Sequence, residues 1–271
     1  MAETLVPKSE AESEEKPKEA YEIMKEQIEA GLKEHQRSDL GLFLSSLSAG
    51  LEVGFSILII GIIYTLFKSQ VSAGQLSLMM ALVYPIGYIF VIIGRSELFT
   101  EHTTLATIPV MNGEATLGSL GKLWLLVYFG NLVGGYVFGS IILGFNAETH
   151  LIGNDFFYYV SQKMLKHSVS STLISSIMAG WLMGMLSWLL SSAQDTFSRV
   201  VMIFLVTFLI SITGLHHCIV GSIEIFMAFF AEANQISLGE FLKFQGLATL
   251  GNIIGGVCLV AIIKYAHSKR H

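Results

Sequence analysis

From residue 42 onward the chain is written in long apolar runs, with polar residues confined to short intervals between them. Residues 42–67 carry one charge, Glu52, and residues 76–93, 123–145, 168–193 and 244–263 carry none. Residues 200–223 hold only His216 and His217, and the run then continues past Glu224 to Ala231. A hydrocarbon core about 30 Å thick needs about 20 apolar residues in helix, so each run predicts a transmembrane helix. The alternation that a membrane barrel requires is missing. The expectation is an all-α membrane protein with six transmembrane helices over residues 41–266, set in a lipid bilayer, with polar ends at 1–40 and 267–271.

Two of these runs are interrupted near the middle, at 94–100 in the second and at 213–217 in the fifth. Backbone groups cannot stay unpaired in lipid, so a broken helix at this depth must face protein or a watery cavity. The chain also repeats itself. Gly130-Asn131-x-x-Gly134-Gly135 returns as Gly251-Asn252-x-x-Gly255-Gly256, an offset of 121, and Ala49-Gly50…Gly54 returns as Ala179-Gly180…Gly184. Asn131 and Asn252 therefore read as helix-packing residues of the third and sixth helices. Three spans per half is an odd number, which turns the second half upside down. Two inverted three-helix repeats with broken second and fifth helices form a transport architecture. Ordinary packing through small residues, with no passage, is the plainer alternative.

Composition agrees. Only 14% of residues are charged, against about a quarter in soluble domains. The acids crowd into the first 40 residues (Glu3, Glu10, Glu12, Glu14, Glu15, Glu19, Glu22, Glu26, Glu29, Glu34 and Asp39), and the net charge of −5 excludes nucleic-acid partners, which need a basic face. Within this tail Tyr21, Met24, Ile28 and Leu32 recur at helical spacing, predicting an amphipathic helix on the membrane surface, or one that packs on its copies or covers a cytoplasmic mouth. With the N-terminus inside, eleven Lys and Arg fall on the cytoplasmic side and four outside, which places both termini in the cytoplasm. Some 40 charge-rich residues precede the first run, so no signal peptide is expected. Cys218 and Cys258 lie in apolar runs and read as small hydrophobes.

The chemistry concentrates in the breaks. A half-helix N-terminus carries free N–H groups and partial positive charge that suit an anion. Leu98 and Phe99 are candidates for an apolar constriction or for simple packing, and Thr100 offers a hydroxyl to cap the next half-helix or meet a solute. Arg95, Glu97 and Glu101 are charged at membrane depth, functional by default or paired as a network that holds the loop. At the second break a pore histidine could donate a hydrogen bond or hand over a proton. Adjacent positions diverge by about 100° on a helix, so one of His216 and His217 faces the pore. Their spacing does not suit a metal, and no cofactor is expected. Glu224 is a further intramembrane carboxylate, for packing or for the lumen. Rival readings are a cation or neutral-solute path built on Glu97, Glu101 and Glu224, a metalloenzyme using His102, His216 and His217, and a scaffold with a vestigial pore.

The runs Ser96-Glu97-Leu98-Phe99-Thr100, Tyr128-Phe129-Gly130-Asn131-Leu132-Val133-Gly134, Gly214-x-x-His217 and Gly251-Asn252 resemble the formate/nitrite transporter family, over roughly residues 38–266. The resemblance implies an aquaporin-like fold assembled as a homopentamer with one pore per protomer, in a bacterial plasma membrane, passing small monovalent anions of weak acids. It makes residues 98–100 the pore loop and constriction, and His217 the central pore histidine. It puts Tyr84, Tyr88 and Ile210 at a cytoplasmic constriction, and matches Lys166 to a lysine at the outer mouth. The chain departs from the family in three places. His216 replaces the glutamate of Gly-Phe-Glu-His, Val220-Gly221 replaces Ala-Asn, and Arg95 stands where the family tends to have glycine. These departures mark a divergent branch, of the YfdC type.

Overall fold

The computed structural model describes residues 17–231 and 236–268, and no strand occurs among them. The first sixteen residues of the acidic tail and residues 269–271 lie outside the described part. Helix α1 (Ala20–Gln36) precedes α2 (Asp39–Phe67), and α3 (Ala73–Val83) bends at Pro85 into α4 (Pro85–Ile93). After the first break come α5 (Phe99–Leu105) and α6 (Thr107–Met111), then α7 (Leu117–Thr149), α8 (Asn154–Leu165) and α9 (Val169–Ser192). The second break divides α10 (Thr196–Ile212) from α11 (Val220–Ala231). The chain ends in α12 (Leu238–Gly256), a π-helical turn (Val257–Ala261) and α13 (Ile262–Ser268).

Among the described residues, five helical stretches have the length and apolarity to cross a membrane: Asp39–Phe67, Ala73–Ile93, Leu117–Thr149, Val169–Ser192 and Leu238–Ser268. Thr196–Ile212 and Val220–Ala231 are apolar but shorter, as a span cut by a break must be. The sequence marks where most of these helices start. Ser38, Ser72, Thr116, Ser168, Asp195 and Ser237 each accept a hydrogen bond from a backbone N–H of the first turn that follows. Such caps satisfy donors that would otherwise be stranded at the edge of the apolar layer.

Two helix pairs dominate the packing, α2 with α7 and α9 with α12. Their seams explain the repeated glycines. A methyl on Gly50 would strike the backbone at Asn131 and Gly135, and one on Gly180 would strike the backbone at Asn252. Only glycine lets the helices approach this closely, as small-residue motifs in membranes require.

Two elements differ from expectation. Helix α1, for which the sequence left open a solvated surface helix or one that packs on its copies or covers a mouth, packs on α6, α9 and α13 and lines the edge of a wide cavity. Its buried face is Ile23, Met24, Gln27 and Gly31, while Tyr21 is exposed and Ile28 and Leu32 are only partly covered. The shift has a polar cause, because Gln27 Nε2 donates to the Ser187 carbonyl (2.9 Å) and to Ser191 Oγ (2.6 Å) at the end of α9. Helix α8 is the other, a short amphipathic helix that buries Phe156, Phe157 and Val160 and pairs Asp155 with Lys68 at the end of α2.

Candidate functional site

Both breaks are built by the same bonds. At the first, Arg95 N–H donates to the Ile92 carbonyl (3.3 Å) and Ser96 N–H to the Val91 carbonyl (2.9 Å). At the second, Gly214 N–H donates to the Ser211 carbonyl (3.1 Å) and Leu215 N–H to the Ile210 carbonyl (3.0 Å). This is the Schellman ending of a helix, which requires a left-handed residue just past the last turn. Arg95 has φ 64° and Gly214 has φ 67°, at positions 119 apart. Glycine adopts that conformation freely, whereas any residue with a Cβ is strained by about 1–2 kcal/mol.

Arginine therefore works against the backbone at the first break. Arg95→Gly is expected to raise the melting temperature in detergent by about 2–6 °C, from about 1–2 kcal/mol of relieved strain. A fall would mean that contacts of the Arg95 side chain outweigh the strain.

An asparagine closes each break. Asn131 Nδ2 donates to the carbonyls of Ser46 and Glu97, 2.8 Å each, and its Oδ1 accepts from Phe99 N–H at 2.8 Å. Asn252 Nδ2 donates to the carbonyls of Ser176 (2.7 Å) and His216 (3.1 Å), and its Oδ1 accepts from Cys218 N–H at 2.9 Å. Both asparagines are completely buried. Beyond the helix packing that the sequence suggests for them, each pairs three backbone groups that the break would otherwise leave bare.

The restarted helices meet at their N-terminal ends. Thr100, second residue of α5, is hydrogen-bonded through Oγ1 to Nε2 of His217 at 2.8 Å. His217 caps the turn that leads into α11: its carbonyl accepts from Gly221 N–H, and its Nδ1 accepts from the N–H groups of Ile219 and Val220 at 3.3 Å each. An Nδ1 that accepts twice has no proton. The proton of the neutral ring is on Nε2, which donates to Thr100. The Thr100 hydroxyl keeps its own hydrogen for another acceptor. His216 turns away, its Nδ1 against Ser175 Oγ (2.7 Å) and its ring against Phe244 and His167.

Cavities lie on either side of this pair. A narrow one of about 20 Å³, room for roughly one water, is lined among others by Tyr84, Ile210, His217, Glu224 and, from α8, Tyr159 and Lys163. Tyr88 stands behind it, its hydroxyl 2.8 Å from that of Tyr84 and its ring edge-on to His217. A wide vestibule of about 690 Å³ opens toward α1, with Arg37, Arg95, Ser96, Glu97, Glu101 and Arg199 in its walls. The cavities share no lining residue. Buried Leu98, Phe99 and Thr100 link one wall to the other, and the Phe99 ring packs edge-on against Trp124 and Tyr128.

Tyr84 and Ile210 line the narrow cavity together with His217, and Tyr88 stands behind them, on the side of α8. Lys166 is exposed at the end of α8, and Lys163, one turn earlier, is the lysine in the cavity wall. Glu97 pairs with Arg37 (2.5 Å) and His102 (2.6 Å) instead of with Arg95. No pattern in the sequence singles out Arg37. His102 does not join His216 and His217; among the described residues the set with metal-ligand spacing is Glu34, Glu97 and His102.

A family model described as formate/nitrite transporter matches residues 21–266, so the similarity extends through α1 and is not limited to residues 38–266. The inner membrane protein YfdC of Escherichia coli strain K12 is 32% identical over 93% of this chain and 80% of its own length. A solved FNT family ion channel aligns over 90% of this chain and 98% of its own with a TM-score of 0.81 at 20% identity. A pentameric formate channel with formate bound gives 0.68 at 23% identity, over 84% and 96%. With the paired breaks in place and nearly its whole length matched, the chain belongs to the formate/nitrite transporter family.

Proposed function

We propose that the protein is a membrane channel or proton-linked transporter for small monovalent weak-acid anions of the formate, nitrite and hydrosulfide type. The observation that carries this reading is the Thr100–His217 contact, where two half-helices restart within hydrogen-bond reach of each other between two cavities. Their N-terminal dipoles, an Nε2–H and a threonine hydroxyl form a neutral donor site that suits a passing anion and leaves no fixed charge to trap it. The matching bonds at Arg95/Gly214 and Asn131/Asn252 support six spans in two inverted three-helix repeats of aquaporin-like form. Residues 1–40 then form a cytoplasmic tail that folds back through α1, residues 41–266 the channel, and residues 267–271 a second cytoplasmic end. The similarity to a pentameric channel supports a homopentamer with one passage per protomer in a bacterial inner membrane.

Leu98, Phe99 and Thr100 form the closure in this reading, and Tyr84, Ile210 and Lys163 line the approach from the α8 side. Arg95 and Arg199 draw anions into the vestibule. Glu97 and Glu101 in the vestibule wall and Glu224 in the narrow cavity motivate a second reading, a cation or neutral-solute path on the same scaffold. Proteoliposomes decide between them. Uptake of formate, nitrite or hydrosulfide is expected to exceed that of chloride, potassium and ammonium, with an anion-selective reversal potential under a salt gradient. A cation-selective potential rejects the anion reading.

A further inference from the structure

Three side chains from three separate segments converge at the edge of the wide vestibule. Glu34 is on the last turn of α1, Glu97 in the first break and His102 on α5, and one ligand atom from each lies within 4.8 Å of the others. The His102 side chain is fully buried, and those of Glu34 and Glu97 are only 16% and 14% exposed. The spot already holds positive charge. A single nitrogen, Arg37 Nη1, sits 2.9 Å from Glu34 Oε2 and 2.5 Å from Glu97 Oε1, bridging two carboxylates as a metal ion does. His102 Nε2 is 2.6 Å from Glu97 Oε2, and its Nδ1 is buried with no hydrogen-bond partner.

We propose that Glu34, Glu97 and His102 form a binding site for a divalent transition-metal ion of the zinc type, which takes the place of the Arg37 guanidinium. One imidazole and two carboxylates are a donor set for zinc, whereas calcium and magnesium take oxygen alone. Two carboxylates sharing one arginine leave a net negative charge, and a dication neutralises it. The arginine can leave, because its side chain is one-third exposed beside the 690 Å³ vestibule, which also supplies water for the fourth coordination position. Coordination needs a bare ring nitrogen, so the proton now shared between His102 Nε2 and Glu97 moves to Nδ1 or is released. A bound ion would fasten α1 to the loop that closes the first break.

Isothermal titration of the full-length protein, purified without a histidine tag, with ZnCl₂ tests this independently of any flux. One saturable site per protomer is expected, with magnesium unable to compete. Glu34→Gln and His102→Gln are each expected to weaken that site by at least about tenfold, and Arg37→Gln to tighten it. Should His102→Gln not fold, Glu34→Gln on the outlying helix α1 gives the same readout. Absence of a stoichiometric site, or a titration unchanged in both Glu34→Gln and Arg37→Gln, overturns the proposal.

Discussion

Asn252→Ala is expected to destabilise the protein by about 3 kcal/mol or more, seen as a melting temperature lowered by about 6–12 °C in detergent. The side chain makes three hydrogen bonds, to the Ser176 and His216 carbonyls and from Cys218 N–H, and alanine makes none of them. Each partner is a backbone group at a helix break, where apolar surroundings offer no substitute, and a buried group left unpaired costs about 1–3 kcal/mol. Asn131→Ala should cost a similar amount, because its three partners at the first break correspond one for one. Aspartate keeps the acceptor and loses the two donors, so Asn252→Asp should fall no less than alanine does, with a buried charge added. A shift below about 2 °C for either alanine variant would show that these breaks are held by something other than the asparagines.

That role is half legible in the sequence. The Gly-Asn-x-x-Gly-Gly repeat announces that Asn131 and Asn252 are equivalent, and the glycines beside them announce close helix contact. What the side chains bind depends on where the partner helix breaks, which lies about 30 residues from each asparagine in the chain. Depth along a helix reads well from hydropathy and from capping residues such as Thr116 and Ser237. Azimuth reads poorly, and so the spacing along α1 points to Tyr21 where Ile23 is buried, and nothing in the spacing along α8 points to Lys163, which faces the cavity. Helix α8 escapes detection because twelve residues that mix Phe156 and Phe157 with Asp155 and Lys163 never make an apolar window of spanning length. The network of Arg37, Glu97 and His102 needs the tertiary fold, since its members come from the end of α1, a loop and a half-helix. The departure at Arg95, by contrast, is plain from the residue type, and the left-handed backbone gives it a physical meaning.

Anion flux through His217→Leu is expected to fall about 10- to 100-fold, because one hydrogen bond to a charged permeant is worth about 1.5–3 kcal/mol and each 1.36 kcal/mol is tenfold in rate. Leucine also removes the cap that Nδ1 provides to Ile219 and Val220 N–H, so part of the loss could come from a loosened α11. Thr100→Val separates the two effects. Valine has the same shape and leaves the α11 cap untouched, yet it deletes the hydroxyl that accepts from His217 and can donate onward. If the donor pair carries selectivity, Thr100→Val loses anion flux and lowers the melting temperature only by the one hydrogen bond it deletes, while His217→Leu loses flux and both the bond and the cap. His217→Gln supplies an amide N–H near the Nε2 position and should recover flux in part. The tautomer makes a further demand. A second proton on the ring would have to go on Nδ1, where two backbone N–H groups already point, so the ring acts as a fixed donor and not as a proton carrier. The pH profile of flux through His217→Gln should therefore keep the shape of the wild-type profile at a lower amplitude. A step in the wild-type profile that vanishes in His217→Gln would place the proton on His217 and require α11 to move during each passage.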